Sequence, residues 1–459
     1  MPSAASATFA RLVEARPAEP PGIWFDTACV LGGSIAGLLA ARVLADHARQ
    51  VVVIERDVVN VDGRPRAGVP QDRQVHVLLP GGRRWLEHWL PGLTRDLQDG
   101  GAVLSGRGQF VQYTDGRPQV HEQPLLTSSR PLLESRIRAR VLARPNVATR
   151  RSQVTGLEYR DGRVSAVRHR SSDADHLLPA DFVVDAMGRG SRLADWLDGD
   201  GYDVPPLQRL ATSINYASAL FKRTQPTTLT AAVALFQPPY PVDGVAVAGL
   251  GAIEHDQWLV LLMGYDDSRP GRTIETFKDT CAELPPGFGE AAQDEVTGEI
   301  FSYHQADSRR RDFHGQGRFP AGLVSVGDAV ASFNPIYAQG MSAAALHASC
   351  LAQYLRTEPL HGRPAAAFFD LEQIVVDAAW ALSAGGDAAR LDALTGAQVP
   401  EETSRQRWAL EQLLQAAPVD EVVAQAVNDV TFMLAHPDTL ADPALLNRAV
   451  TANQQHDPT

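Results

Sequence analysis

The stretch Thr27–Asp57, TACVLGGSIAGLLAARVLADHARQVVVIERD, decides how the chain is read. Thr27 to Leu31 is a short apolar run with the look of a buried strand. Glycines interrupt it, and Ile35 to Ala45 then carries Leu38, Leu39, Ala41 and Val43 in a helical pattern. Gln50 to Ile54 reads as the next strand. A strand, a glycine turn, a helix and a second strand within about 30 residues form a dinucleotide-binding unit. The usual G-x-G-x-x-G becomes Gly32, Ser34 and Gly37. Gly32 suits a tight turn, and Gly37 lets helix and strand approach closely. Ser34 stands where a glycine normally admits the pyrophosphate to the backbone. Free N–H groups at the helix start would hold a diphosphate. Glu55, 23 residues after Gly32, ends the second strand, where a carboxylate can accept both ribose hydroxyls and repels a 2′-phosphate. The plainer alternative is a small-residue turn in some other α/β unit.

The rest of the composition is that of a globular chain. With 459 residues it can bury two domains, or one with a large insert. A formal charge of −12 opposes nucleic-acid binding, which calls for concentrated Lys and Arg. The three cysteines, Cys29, Cys281 and Cys350, show neither a disulfide framework nor zinc spacing. Arg11, Glu14, Arg16 and Glu19 make a secretory signal unexpected, and no charge-free run reaches membrane-spanning length. A cytoplasmic protein with no metal site is the expectation.

Two further glycine sites follow. In VVDAMGRGSRL, Asp181 to Val184 reads as a strand, Asp185 ends it, and Gly188 and Gly190 loosen the turn before Ser191. Ser191 is equally suited to capping a helix. In GLVSVGDAVASFNPIYAQGMSAAALHASCL, a strand ends at Gly327–Asp328. A loop with Asn334, Pro335, Gln339 and Gly340 then leads into an alanine-rich helix from Met341 to Leu351. An ordinary βα connection would account for either site alone.

Together the three sites resemble the FAD-dependent monooxygenases of the aromatic-hydroxylase, glutathione-reductase-like superfamily. The resemblance implies an α/β fold: a Rossmann-like FAD-binding domain, an inserted β-sheet substrate domain and a helical C-terminal region. It implies a cofactor-binding set of Gly32, Ser34, Gly37, Glu55, Arg56, Arg73, Arg130, Asp185, Gly188 and Asp328. Arg130 matches the family arginine in SSRPLLESRIRARVL, and Asp328 the aspartate set against the ribityl chain. Asn334, Pro335, Gln339, Gly340 and Met341 match the element beside the isoalloxazine ring. RAGVPQDRQVHVLLPGG, Arg66 to Gly82, adds a finer likeness to bacterial polyketide epoxidases of polyether biosynthesis. It departs from that subgroup at Gln74, where histidine is common, and at Ala338, where glycine is usual.

The chemistry so implied is insertion of one oxygen atom from O2 into a small apolar organic metabolite, through a flavin hydroperoxide. NADH or NADPH would supply electrons, directly or through a separate flavin reductase. No catalytic side chain is expected. His76, His304 and His314 read as structural or surface residues, and Arg309–Arg311 as a solvated face or ion-pair partners. The apolar middle sheet and the absence of an evident base tilt the reading towards epoxidation over hydroxylation. Phe236, Trp258 and Phe333 are candidates for the substrate pocket, with core packing the default for any single one of them. A flavin-dependent halogenase would need a tunnel lysine and a WxWxIP motif; the only lysines, Lys222 and Lys278, lack that setting. A flavin-dependent prenyl or alkene reductase and a noncatalytic flavin protein stay open, as does the oligomeric state. The expected organisation is a flexible 1–22, an FAD-binding domain of 23–195 with 305–355, a substrate sheet over 196–304, a helical region over 356–450 and a mobile tail over 451–459.

Overall fold

The computed structural model describes residues 3–17, 22–58, 63–121, 123–171, 174–242, 244–356 and 363–456. The strand Phe25–Leu31 sits at the centre of a five-stranded parallel sheet. Ala48–Glu55 and then Val147–Arg151 lie on one side of it, Phe182–Asp185 and then Leu323–Ser325 on the other. Parallel strands covered on both faces need apolar side chains in succession. VVVI at 51–54 and FVV at 182–184 supply them, all buried. The helix Ile35–Leu44 packs on this sheet and buries Leu38, Leu39 and Leu44 completely. Removing one such leucine from water stabilises the fold by about 2 kcal/mol. The α/β Rossmann-like architecture expected from the opening stretch is therefore present.

A second sheet has eight strands, in the order Ala331–Ser332, Phe301–Arg311, Leu207–Lys222, Gln257–Tyr265, Val247–Ile253, Ala231–Leu235, Phe110–Thr114, Arg117–His121. Its last hairpin comes from before residue 196, so the sheet does not follow the 196–304 division. The hairpin turns at Asp115–Gly116, both with positive φ (48° and 79°), as a two-residue loop matched to strand twist requires. Among the described residues, no helix is long and apolar enough to cross a membrane.

Both termini differ from expectation. Ala4–Val13 is a helix, with Ser3 accepting a hydrogen bond from the Ser6 N–H and Phe9, Leu12 and Val13 buried. It rests on the helices Gly340–Arg356 and Ala366–Thr395. Apolar side chains at helical spacing had a surface to cover, and that surface is formed more than 300 residues later in the chain. At the other end the helix Pro443–His456 runs through most of the supposed tail and buries Ala449 and Ala452. Residues 1–2, 18–21 and 457–459 lie outside the described set.

Candidate functional site

A single continuous cavity of about 2560 Å³ runs from the first glycine turn, past the loop at 334–341, to the C-terminal helices. At its first end Gly32 has φ +101°, and a Cβ there would stand 2.5 Å from the Ala186 carbonyl oxygen. Gly37 is packed harder still: its Cβ would lie 2.0 Å from the Gly32 carbonyl oxygen. Gly37 therefore sets the helix against the turn and does not itself line the cavity. Ile35 and Ala36, at the open start of the helix, do line it.

Ser34 is tied down by two partners that sequence spacing does not reveal. Its hydroxyl donates to Glu134 Oε2 at 2.7 Å and accepts from Arg130 Nη2 at 3.0 Å. Glu134 is the hub of a buried network: Oε1 lies 2.8 Å from Arg66 Nη2 and 2.9 Å from Arg138 Nη2. Arg66 continues to Glu55 (3.1 Å) and Asp57 (3.2 Å), and Arg130 to Asp72 (3.1 Å). Charges this deeply buried persist only when paired. Glu55 lines the cavity, but its Oε2 already accepts from the Gly33 N–H at 2.9 Å and its Oε1 from the Asp57 N–H at 3.1 Å. A carboxylate accepts about four hydrogen bonds, so capacity for a ribose hydroxyl remains.

The second motif divides its labour. Gly188, at φ +68°, lines the cavity. Asp185 is fully buried behind it and does not, contrary to the expected set. It accepts hydrogen bonds from Ser191 Oγ (2.6 Å), Met187 N–H (3.0 Å) and Ser325 Oγ (3.3 Å), and so shapes the turn. Burial pushes its carboxyl up to about 6. Asp328 faces the cavity, raised above the usual carboxylate range by desolvation against the opposing charges of Arg130 and Arg189. Beneath it, the Gly327 N–H donates to His347 Nδ1 at 3.0 Å, with Glu372 3.2 Å from the same nitrogen. Desolvation lowers His347 to about 3 and raises Glu372 above the usual carboxylate range.

The loop at 334–341 is clamped from two sides. Asn334 Nδ2 donates to Asp387 Oδ1 at 2.7 Å and to the Tyr265 hydroxyl at 3.3 Å, joining the loop to the helix Ala366–Thr395 and to the large sheet. Ala338 is held at φ +52°, in the left-handed region where glycine is favoured. A glycine would hold this conformation without the strain that a Cβ brings. Ala338→Gly is expected to raise the unfolding free energy by about 1 kcal/mol in urea titration. A lower midpoint would mean that the methyl contacts outweigh the backbone strain. Pro335, Gly340 and Met341 line the cavity, as does Gln339, whose buried Oε1 finds no partner among the described residues.

Of the remaining expected residues, Arg56, Arg130, Phe236 and Phe333 line the cavity. Arg73 does not; it stacks over the Phe301 ring, 4.6 Å from the centroid. Trp258 also stands apart, buried in a separate apolar cluster beneath Arg223. Core packing was the default reading for it, and that is where it lies. His304 and His314 are exposed, as expected, and Arg309 and Arg310 are ion-paired, with Asp307 and Asp377. His76, read as a structural or surface residue, is not at the surface. It lines the cavity with Nδ1 2.9 Å from the Gln74 carbonyl oxygen, and burial beside Arg130 lowers it to about 3. Tyr216, Tyr265 and Tyr337 share the cavity wall, and Asp387 behind them is raised to about 6 by burial. All three cysteines are buried and free.

The residues suit FAD. The glycine turn leaves no room for a side chain, the helix start at Ile35 and Ala36 borders the cavity, Asp328 offers an acceptor for hydroxyls, and the volume exceeds the roughly 300–1,000 Å³ of an ordinary ligand pocket. A family model described as FAD binding domain matches residues 26–370. Protein Rv3254 of Mycobacterium tuberculosis (strain ATCC 25618 / H37Rv) is 33% identical over 426 residues, covering 87% of this chain and 88% of that protein. Among solved structures, the flavin-dependent brominase Bmp2 has a TM-score of 0.61 at 14% identity, over 94% of this chain and 100% of that one. The p-nitrophenol 4-monooxygenase PnpA from Pseudomonas putida DLL-E4 has a TM-score of 0.60 at 19% identity, over 92% and 99%. At such identities these two likenesses speak to the fold alone.

Proposed function

The chain belongs to the FAD binding domain family, and from that premise we propose that it is an FAD-dependent monooxygenase acting on a small, largely apolar organic molecule. The observation that carries this reading is the continuity of one cavity from the dinucleotide turn to an apolar wall built from the large sheet. FAD, when bound and reduced, supplies the activation of O2. The chain's own residues do the rest. Helix N–H groups and Arg130 hold the diphosphate end, and Asp328 and Gly188 border the middle. The clamped loop from Asn334 to Met341 fixes where the reacting end lies relative to Phe236, Val247 and Leu261. These apolar walls exclude water, which strengthens every polar contact within them.

The halogenase alternative gains nothing from the cavity. Lys222 pairs with Glu295 and Lys278 donates to the Asp294 carbonyl oxygen, and neither lines it. The tilt towards alkene epoxidation rested on the apolar middle sheet and on the lack of an evident base. His76 and five tyrosines line the same cavity and can hydrogen-bond a hydroxyl-bearing substrate, but burial lowers the imidazole to about 3 and raises the phenols, so none of them is a ready base. We therefore propose oxygen insertion, with epoxidation and hydroxylation both compatible with the walls.

The test supplies FAD, NADH or NADPH, with and without a flavin reductase, and a panel of polyenes and phenols under isotopically labelled O2. One labelled oxygen atom per product is expected by mass spectrometry. Conversion under strict anaerobiosis at the aerobic rate would instead make the protein a reductase. Comparing turnover with and without the added reductase reads the electron route.

A further inference from the structure

The cavity does not end at the loop. It continues along one face of the helix Ala366–Thr395, where Ala381, Gly385, Gly386, Ala388, Ala389 and Ala393 line it. From Ala381 to Leu394 this is about 20 Å of helix at 1.5 Å per residue. Leu382 and Arg390 border the same face and Tyr337 packs against Gly386, but at Gly385 nothing stands within 4 Å of an added Cβ. At its far end the cavity is bordered by Leu394, Leu410, Leu414 and Val419, which are 58%, 39%, 52% and 45% exposed, with Gln406, Glu411 and Gln415 beside them. Leu410 and Leu414 stand one turn apart on the same face of the helix Glu401–Ala416, which itself buries only Leu413 and Ala416. Contiguous exposed apolar side chains mark a place where something apolar binds. Here they border the same cavity that reaches the flavin loop, and do not form a separate flat face. The two arginines along the path are already paired, Arg390 with Asp266 at 2.9 Å and Arg407 with Asp392 at 2.6 Å. An ionic ligand would thus find no free guanidinium there.

We propose that this extension is a binding channel for the unreacted part of the substrate. The substrate is then an elongated apolar molecule, lying along Ala381–Leu394 with its distal end between Leu410, Leu414 and Val419. This rests on the monooxygenase reading for the identity of the reacting end, but its test needs no turnover.

Styrene, trans-stilbene and diphenylhexatriene form a rod-like apolar series of increasing length. Their affinities for the FAD-loaded protein are measured without reductant, by diphenylhexatriene fluorescence and by displacement of that dye. Affinity is expected to rise with length. Gly385 has no atom within 4 Å of where its Cβ would stand, so Gly385→Trp fills the channel without a backbone clash. It should weaken diphenylhexatriene at least about tenfold, the loss of one buried ring, while styrene affinity and FAD content stay unchanged. Leu410→Asp with Leu414→Asp should act in the same direction. Equal affinities across the series, or an equal loss of all three probes in Gly385→Trp, would overturn the channel. So would aspartate variants that alter self-association in sedimentation but leave diphenylhexatriene binding intact, since the rim would then contact a second copy. Failure of labelled-oxygen insertion with intact length dependence would sink the monooxygenase reading and leave the channel standing.

Discussion

Gly37→Val is expected to yield protein that no longer retains FAD. The first added carbon would stand 2.0 Å from the Gly32 carbonyl oxygen, which is backbone and cannot swing aside as a side chain can. Overpacking costs about 1–3 kcal/mol even where side chains give way. Here the relief must come from moving the helix off the strand, and that shifts the helix start that borders the cavity. Flavin absorbance per chain after gel filtration is the readout, with far-UV circular dichroism as the check on folding. Gly199→Ala serves as the control, because its added carbon meets nothing within 4 Å. A folded Gly37→Val protein with wild-type FAD content would refute the assignment of this turn.

The second large effect concerns Glu134. Glu134→Ala removes the carboxylate that Arg66 and Arg138 share and that holds the Ser34 hydroxyl. Two buried guanidinium groups would lose their central counter-charge, and breaking a buried pair in this way costs about 3–5 kcal/mol. The urea midpoint should fall accordingly, and FAD affinity should fall with it as Ser34 loses its position. Glu134→Gln keeps an acceptor oxygen and should lie between the two. If Glu134→Ala matched wild type in both measurements, the network would be incidental to the site.

Glu134 also shows what could be read in advance and what could not. The unit at 27–57 was legible because each property is local: glycines where φ or close approach demands them, apolar residues at two different periods, a carboxylate at a strand end. The i,i+4 spacing of Arg130, Glu134 and Arg138 is local, but the contacts of Glu134 with Arg66 and Ser34 span 68 and 100 positions, and nothing in the spacing announces those. His76 was hidden for the same reason, since the walls that bury it come from elsewhere. The hairpin Phe110–His121 did carry a local signal, Asp115–Gly116 between alternating segments, and was overlooked beside the stronger middle strands. The long helix was legible as a helix. Its alanines and glycines gave no sign of bordering a cavity, because small residues read alike whether they meet a neighbouring helix or open space.

The buried helix Ala4–Val13 has a consequence for how the chain is made. Its apolar face is covered by Gly340–Arg356 and Ala366–Thr395, segments that leave the ribosome long after it does. At about 5–20 residues per second, Phe9, Leu12 and Val13 wait uncovered for much of synthesis. Ala4–Val13 is thus seated only after the two helices that cover it have been made, a window in which chaperones have a defined stretch to hold.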